Sequence, residues 1–231
     1  MTRAWAVVPA AGAGRRMGAG VAKQYLPLLG RPLLAHAIEP LLAAPRIEAV
    51  VLVVAADDTR WPDAVPEDSR LLSATGGAER CHSVLSGLAR LADRAAPHDW
   101  VLVHDAARPC LSHAELEALF AALEGDPVGG LLAVPVADTL KVADEGGRVL
   151  RTLPREALWR ALTPQMFRYG LLRAALAAAI EAGVLVTDEA AAMERAGHQP
   201  ALVAGRAANL KVTSPEDLAL AEAVLRRREE E

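Results

Sequence analysis

A glycine-containing stretch followed by positive charge stands near the start of the chain, where it would suit the binding of phosphate groups. The apolar run 4–8 precedes it and predicts a buried strand of a parallel sheet. Gly12 and Gly14 would let backbone N–H groups approach a ligand closely. Arg16 and Lys23 then add positive charge at the same edge of the sheet. This arrangement is typical of phosphate sites in α/β proteins, and a glycine-containing turn with solvated charges is the alternative interpretation.

Two common phosphate-binding loops do not fit this stretch. A Walker loop needs Gly-Lys-Ser/Thr at its end, but Gly18 is followed by Ala19. The dinucleotide fingerprint needs a third glycine where Met17 stands, and the first candidate ribose-binding acids, Asp57 and Asp58, come too late. The stretch instead resembles the entry loop of nucleotidyltransferases that join a nucleoside triphosphate to a sugar or polyol phosphate.

Composition limits the class of protein. The 231 residues are 52% hydrophobic with a formal charge of −4, which suits one large α/β domain and does not indicate a nucleic-acid scaffold. Two cysteines, Cys81 and Cys110, exclude a disulfide framework and favour a reducing compartment. The sequence shows no leader pattern and no apolar run of membrane-spanning length. We therefore expect a single soluble, cytoplasmic domain over residues 1–231.

Strand and helix signals alternate along the chain, which predicts a doubly wound α/β domain. The predicted strands after the first are 49–55, 71–72, 100–104 and 131–136. The predicted helices are 33–42, 79–91, 112–123, 168–182, 188–196 and a last one that begins at Ser214-Pro215. Pro40 should kink or end the first of these helices. The segment 138–153, with Gly146 and Gly147 at a turn, predicts a projecting β-hairpin arm.

Two stretches near predicted strand ends carry residues that could bind a nucleotide. In the stretch 76–83, paired glycines and the Ser83 hydroxyl could hold a base edge, although an ordinary helix start explains the same residues. Asp105 ends a strand and could hold Mg²⁺, which prefers one or two carboxylates with phosphate oxygens and water. Arg108 offers a planar fork for phosphate nearby. The structural alternative is that Asp105 caps the following turn.

Two stretches nearer the C-terminus allow both a functional and a structural interpretation. Thr187 and Asp188 are adequate helix caps. Lys211 lies in a predicted short apolar strand, where burying a cation costs free energy unless it meets an anion. An exposed edge lysine that discourages sheet pairing is the alternative. The histidines are scattered along the chain and suggest neither a Ser/His/Asp triad nor a metal site.

A series of short motifs, taken in order along the whole chain, resembles one enzyme family. It begins with Pro-Ala-Ala-Gly-x-Gly-Arg-Arg-Met, Lys-Gln-Tyr, Gly-Gly-x-Glu-Arg-x-x-Ser-Val and His-Asp-Ala-Ala-Arg-Pro. It continues with Asp-Thr-Leu-Lys, Leu-Trp-x-Ala-Leu-Thr-Pro-Gln, Thr-Asp-Glu-Ala, Asn-Leu-Lys-Val-Thr and Pro-Glu-Asp-Leu. The chain resembles the 2-C-methyl-D-erythritol 4-phosphate cytidylyltransferases of the non-mevalonate isoprenoid pathway. The resemblance implies a Rossmann-like nucleotidyltransferase core with a mostly parallel sheet, CTP as donor, Mg²⁺ and a homodimer embraced by the arm.

The residue roles implied by this resemblance fall into three groups. Arg16 and Lys23 would stabilise the charge that develops on the α-phosphate. Ala78 stands where some relatives have an acidic residue, so its backbone alone is expected to contribute. The implied nucleotide-binding residues, with Asp105 also holding the metal, are Pro9, Ala10, Ala11, Gly12, Ala13, Gly14, Gly77, Ala78, Ser83, Asp105 and Ala106. The implied acceptor-binding residues are Arg108, Thr139, Arg155 and Lys211. Of these, Thr139 and Arg155 would act in the partner subunit's site.

The implied reaction is in-line displacement at the α-phosphorus of CTP by the phosphate of the acceptor, with release of pyrophosphate. Because two anions must meet, the protein has to neutralise charge and align the reactants, with little need for a strong base. A cytidylyltransferase for ribitol phosphate or another polyol phosphate and a catalytically silent nucleotide-binding protein are the alternatives. The failed glycine pattern disfavours a NAD-dependent dehydrogenase.

Overall fold

A seven-stranded sheet forms the centre of the protein in the computed structural model, which describes residues 2–12 and 22–230. Two short antiparallel pairs of strands lie outside this sheet. The strands in chain order are β1 (Ala4–Pro9), β2 (Pro27–Leu28), β3 (Arg31–Pro32), β4 (Ile47–Val54), β5 (Leu71–Thr75), β6 (Trp100–Val103), β7 (Gly129–Pro135), β8 (Leu140–Ala143), β9 (Val149–Leu153), β10 (Trp159–Arg168) and β11 (Ala201–Ala204).

The central sheet is mostly parallel and doubly wound, as the sequence predicts. Its strand order is β11–β7–β10–β6–β1–β4–β5, and β10 runs antiparallel to both of its neighbours. The chain leaves β1 toward β4 and β5 on one side and then crosses to β6 on the other. The strand order therefore reverses beside β1, and α/β sheets bind ligands outside the carboxyl ends of their strands at such a point.

Helices cover both faces of the sheet. Ala6 and Val8 of β1 belong to the apolar cluster that includes residues of the first and third helices. Trp5 and Val7 point to the other face and pack with residues of the second, fourth and fifth helices. The helices are α1 (Leu33–Ala43), α2 (Arg80–Ala89), α3 (His113–Leu123), α4 (Tyr169–Glu181), α5 (Glu189–Arg195) and α6 (Pro215–Glu229). Within the described residues, none of these helices is long and apolar enough to cross a membrane.

Helix starts follow the capping chemistry in the sequence. Ser112 and Glu115 form the predicted capping box of α3, and Asp188 accepts a hydrogen bond from the backbone N–H of Ala191 at 2.9 Å. Ser214 caps α6, which has Pro215 at its first position. These caps set the starts of α3, α5 and α6, and the start of α5 lies beside the site described below.

Several local features differ from the prediction. Helix α1 does not end at Pro40 but continues to Ala43, and a kink at Pro40 stays a prediction. The segment 159–168 is a strand that the prediction lacks, because a proline within a strand pattern argues against pairing. Pro164 lies where the register shifts between Ala161 and Gln165, so the ladder does not require an N–H from it. Lys211 is not in a strand, since the segment around it has no regular secondary structure.

The predicted arm is an antiparallel hairpin of β8 and β9. Leu140 pairs with Leu153, and the turn is closed by Asp144, which accepts a hydrogen bond from the backbone N–H of Arg148 at 2.8 Å. Gly147 has a φ of 75°, a conformation that favours glycine at this turn. The hairpin is inserted between β7 and β10 and makes no ladder with the central sheet.

Candidate active site

A cleft of about 350 Å³ lies at the carboxyl ends of β1 and β6. The loop after β1, the loop between β5 and α2, and the loop after β6 form its walls, and the segment before α6 contributes one residue. The structure brings together here many residues singled out by the sequence, namely Pro9, Ala10, Ala11, Gly12, Lys23, Gly77, Ala78, Ser83, Asp105, Ala106 and Lys211.

Buried hydrogen bonds fix the loop after β1. The side chain of Gln24 is buried and donates to the backbone oxygen of Ala10 at 2.8 Å. The N–H of Ala10 in turn donates to the backbone oxygen of Val53 at 2.7 Å. Lys23 donates through Nζ to the backbone oxygen of Val212 at 3.1 Å, which links this loop to the segment before α6. The ammonium of Lys23 is therefore held at the cleft wall.

The glycine pair before α2 lies close to the loop after β1. A Cβ atom on Gly76 would overlap the Cβ of Ala11, so only glycine fits at this contact. The N–H of Gly77 donates to Oγ of Ser83 at 3.1 Å, and that hydroxyl donates to the backbone oxygen of Glu79 at 3.2 Å. Ser83 thus shapes the glycine loop, which places backbone groups of Gly77 at the cleft.

Asp105 is a buried carboxylate surrounded by positive charge. Its Oδ1 lies 3.1 Å from Nη2 of Arg80, and its Oδ2 lies 2.8 Å from Nζ of Lys211 and 3.9 Å from Nε of Arg108. Burial alone would raise the pKa of Asp105, but these three cations outweigh burial and hold the pKa well below its usual range. Asp105 is therefore ionised at neutral pH.

A neutral histidine holds the loop that carries Asp105. His104 is fully buried, and burial lowers its pKa to about 4. Its Nε2 lies 3.1 Å from the backbone oxygen of Arg108, which can only accept, so the proton resides on Nε2. Its Nδ1 then accepts from the Thr163 hydroxyl at 3.0 Å, and Thr163 Oγ1 accepts from the N–H of Asp105 at 3.0 Å. These bonds connect β10 to the loop after β6.

Arg80 contributes a positive charge whose two carboxylate partners the sequence does not predict. It starts α2, lines the cleft and contacts Glu189 through Nη1 at 2.6 Å as well as Asp105. Burial would lower the pKa of Arg80, but the two carboxylates raise it above its ordinary value. The signal was the Glu-Arg pair after Gly76-Gly77, yet a partner 109 residues away in sequence could not be identified from spacing. Gln24, Glu79 and Ala107 also line the cleft.

Arg108, Thr139 and Arg155 do not line this cleft in the described part of the chain. Arg108 is buried, and its guanidinium donates to the backbone oxygens of Asn209 at 2.7 Å and Ala161 at 3.4 Å. Thr139 and Arg155 lie together in a second cleft of about 500 Å³ at the base of the arm. Predicted residues that lie outside the described ranges are Ala13, Gly14 and Arg16.

The expectation that Lys211 meets an anion is fulfilled within the chain, although not in a strand. Val212 is buried, and its N–H donates to the backbone oxygen of Ala107 at 2.8 Å. This bond places the preceding Lys211 beside Asp105, with 43% of its side chain exposed. Whether the exposed ammonium also binds an acceptor phosphate stays a prediction.

A single carboxylate is compatible with a magnesium ion that also binds nucleotide phosphates. Among residues 2–12 and 22–230, no three His, Cys, Asp or Glu side chains converge as a metal site. Mg²⁺ needs fewer protein ligands than that when a nucleotide and water supply the remaining oxygens. Asp105 lines the cleft and is ionised, so the donor set fits this type of site.

Similarity to known proteins extends over the whole chain. A curated relative from Dechloromonas aromatica (strain RCB), named 2-C-methyl-D-erythritol 4-phosphate cytidylyltransferase, is 58% identical over 231 residues, which cover 99% of this chain and 100% of the relative. The crystal structure of a protein of that name from Francisella tularensis superposes with a TM-score of 0.84 at 30% identity, covering 96% of this chain and 100% of that one. A third protein of that name, from Thermus thermophilus, gives a TM-score of 0.79 at 33% identity and covers 97% and 99%.

The family profile points the same way. The profile described as "IspD: 2-C-methyl-D-erythritol 4-phosphate cytidylyltransferase" matches residues 4–227, a range that includes every strand of the central sheet and each wall of the cleft. The chain thus belongs to the 2-C-methyl-D-erythritol 4-phosphate cytidylyltransferase family and is an enzyme of the nucleotidyltransferase class.

Proposed function

We propose that this cleft transfers the cytidylyl group of CTP to 2-C-methyl-D-erythritol 4-phosphate, giving the cytidine diphosphate adduct and pyrophosphate. The observation that carries the proposal is the meeting of Lys23, Arg80 and Lys211 with glycine-loop backbone groups at the switch point of the sheet. A triphosphate and a monophosphate together bring large negative charge, which Lys23 and Lys211 would neutralise, while Arg80 is paired with Asp105 and Glu189. Family membership supplies the identity of the two substrates.

The residues of the cleft divide into nucleotide and acceptor groups in this proposal. The loop 9–12 and the backbone around Gly77 would surround the nucleotide, with Lys23 placed for the α-phosphate. Lys211 would bind the acceptor phosphate from the other side of Asp105. The acceptor phosphate is already ionised near neutral pH, so alignment and charge neutralisation provide the rate enhancement without a general base. Neutral His104 supports the loop of Asp105 and takes no proton from substrate.

Asp105 would hold Mg²⁺ together with oxygens of the nucleotide phosphates. The ion would add positive charge beside the triphosphate. Lys211 currently contacts Oδ2 of Asp105 and is exposed enough to move, so this oxygen can exchange one cation for another. The carboxylate remains ionised throughout because Arg80 stays beside Oδ1.

The arm would complete the acceptor site of a second subunit. Thr139 and Arg155 lie in the cleft at the arm base, away from the catalytic cleft of their own chain. Val149 and Leu150 on the arm are 63% and 64% exposed, and paired apolar side chains of this size favour cover by another protein surface. We therefore propose a homodimer in which each arm reaches the partner's site.

Cys81 and Cys110 are free and buried, which fits the cytoplasm as the compartment of the protein.

Pyrophosphate release from CTP tests the proposed reaction. The purified protein should release pyrophosphate with 2-C-methyl-D-erythritol 4-phosphate and Mg²⁺, with ribitol 5-phosphate and glycerol 3-phosphate as competing acceptors. Lys23→Ala should lower kcat by about 10²–10³, because a transition-state contact is lost. Arg173→Ala removes an exposed cation from α4 and serves as the control. A higher kcat/KM with ribitol 5-phosphate would overturn the acceptor assignment, and equal rates for the two variants would remove Lys23 from the mechanism.

A further inference from the structure

Glu189 is a buried carboxylate that the proposed reaction does not use. It is the first residue of α5, it is inaccessible to solvent, and it is absent from the described lining of the cleft. Its Oε1 lies 2.6 Å from Nη1 of Arg80 and its Oε2 lies 3.1 Å from Nη2. Two parallel contacts of this kind fix the plane of a guanidinium, which a single contact would not do.

Arg80 joins this buried carboxylate to the one in the cleft. Its Nη2 and Nε lie 3.1 Å and 3.3 Å from Oδ1 of Asp105. One edge of the guanidinium therefore contacts α5, and the adjacent edge contacts the loop after β6. A lysine could not make these contacts together, because its charge lacks a planar fork.

Glu189 is itself held by β10. Gln165 donates through Nε2 to Oδ2 of Asp188 at 2.9 Å and accepts through Oε1 from the N–H of Ala190 at 2.8 Å. These bonds flank Glu189 on both sides in sequence and bind the start of α5 to the sheet. The carboxylate of Glu189 consequently has a fixed position from which to orient Arg80.

We propose that Glu189 and Arg80 are positioning residues for Asp105, a role that rests on the proposed function of the cleft. Glu189 orients the guanidinium, and Arg80 then tethers Oδ1 of Asp105. This leaves Oδ2, which lies 2.8 Å from the partly exposed Lys211 and 3.9 Å from Nε of Arg108, as the oxygen that a divalent cation accompanying CTP would need. The pair acts as an outer layer that fixes a metal-binding carboxylate, and such layers commonly change metal affinity by about 10–100-fold when removed.

A purely structural ion pair is the competing explanation, and cation affinity separates the two. Removing either partner of a buried pair lowers the melting temperature in both cases. A positioning role also weakens the binding of a divalent cation with CTP, whereas a structural role leaves that binding unchanged. Mn²⁺ is a suitable probe, because its binding in the presence of CTP is read by electron paramagnetic resonance without any turnover.

The central variant is Glu189→Gln, and Asp99→Asn is its matched control. Asp99 is likewise a buried carboxylate, but it lies just before β6, at the end of the sheet away from the cleft, where it accepts from Nε1 of Trp5 at 3.1 Å. We expect Glu189→Gln to weaken Mn²⁺ binding with CTP by about 10-fold or more. The KM for the acceptor should change less than this, and Asp99→Asn should lower the melting temperature without changing Mn²⁺ binding.

Variants of Arg80 provide a second test in case Glu189→Gln does not fold. Arg80→Gln should weaken Mn²⁺ binding at least as much, Arg80→Lys should restore only part of it, and the double variant Arg80→Gln with Glu189→Gln should be no weaker than Arg80→Gln alone. Unchanged Mn²⁺ binding in a folded Glu189→Gln or Arg80→Gln protein, or additive losses in the double variant, would overturn the positioning role. Wild-type protein that binds Mn²⁺ with CTP but releases no pyrophosphate with any acceptor would overturn the proposed function alone. Wild-type protein that does not bind Mn²⁺ with CTP would overturn both proposals.

Discussion

Cations around Asp105 differ in how firmly each is held. Arg80 contacts two carboxylates and has 28% of its side chain exposed, whereas Lys211 contacts Asp105 and has 43% exposed. A flexible ammonium on an exposed stem can change partners at low cost, because its charge is hydrated at each stage. Lys211 is thus the cation best suited to leave Asp105 and meet an incoming phosphate.

Replacing Lys211 should affect the acceptor more than the nucleotide. Lys211→Ala should raise the KM for 2-C-methyl-D-erythritol 4-phosphate by about 10-fold or more, since a charge-assisted hydrogen bond to phosphate contributes about 1.5–3 kcal/mol. The KM for CTP should change little, which steady-state kinetics with each substrate varied in turn will show. Equal increases in the two KM values would show that Lys211 binds the nucleotide or contacts only Asp105.

His104 should make the protein sensitive to mild acid. Burial lowers its folded pKa to about 4 from the ordinary 6.5, so between these values the unfolded chain binds a proton that the folded chain does not. Stability is therefore lost as the pH falls through this window, by about 3 kcal/mol for the full shift. His104→Gln keeps a donor for the Arg108 carbonyl and cannot titrate. Urea unfolding near pH 7 and near pH 4.5 should show that the free energy of unfolding falls less in this variant than in the wild type. An equal fall in both proteins would exclude His104 as the cause.

Contact between two loops, one after β1 and one after β5, shapes the cleft. The loop after β1 and the glycine pair after β5 meet at Ala11 and Gly76, where no Cβ can be added to the glycine without overlap. The neighbouring atom belongs to a short side chain on a hydrogen-bonded loop, so it cannot rotate away. The separation of these two cleft walls therefore depends on one absent methyl group.

Adding that methyl group should damage the nucleotide site. Gly76→Ala should destabilise the protein by about 1–3 kcal/mol and weaken CTP binding, because the two walls must move apart. Gly125→Ala provides the matched control, since no atom of the described residues would lie within 4 Å of a Cβ at Gly125. Thermal unfolding and calorimetric CTP titration will compare the variants. CTP affinity equal to the wild type in Gly76→Ala would show that the loops tolerate separation.

The strands and caps could be predicted because their signals are local. β1 is a continuous apolar run, β4 is one from Ala49 onward, and the α3 capping box is a four-residue pattern that the structure reproduces. The antiparallel β10 could not be predicted in this way, because Pro164 argues against a strand unless its register shift is known. Pairing with β6 and β7 decides that strand, which is a tertiary effect.

The candidate site shows the same division between local and distant signals. Glycines and cations near strand ends identified the cleft, because parallel strands bring their carboxyl ends to one edge. The link from Glu189 to Arg80 joins residues far apart in sequence, and an ion pair of this kind has no signature in composition or period. The apolar residues around Lys211 predict a strand, whereas its position depends on a backbone hydrogen bond between Val212 and Ala107.

In the proposed homodimer, the arm would complete the active site of the partner subunit. Its exposed apolar residues and its separate basal cleft suit contact with a second copy, and a dimer of this kind would share each site between two chains. Arg155 donates to the backbone oxygen of Ala137 and so connects the two ends of the arm. The acceptor site would then depend on association as well as on folding.

Mixing two inactive variants should restore activity if sites are shared. Lys23→Ala disables the core, and the double variant Thr139→Val with Arg155→Ala disables the arm, while heterodimers keep one intact site. Random reassociation of equal amounts should recover about a quarter of wild-type activity, because half the dimers carry one working site of two. Light scattering will check that each variant is dimeric. Failure of dimeric mixtures to recover activity would show that each chain uses its own arm.

The arm begins at the end of β7 and ends at the start of β10, and these two strands pair with each other. This position affects how the arm can vary among members of the family. Pro135 pairs with Trp159, and the N–H of Val136 donates to the backbone oxygen of Leu158 at 2.9 Å, so the sheet is complete before the excursion starts. Its ladder does not depend on the length or sequence of 137–157. Insertions, deletions or substitutions in residues 137–157 should therefore leave the pairing of β7 with β10 unchanged. In the proposed dimer, changes in this segment would therefore alter acceptor choice and assembly together, while the residues at the sheet edge keep their positions.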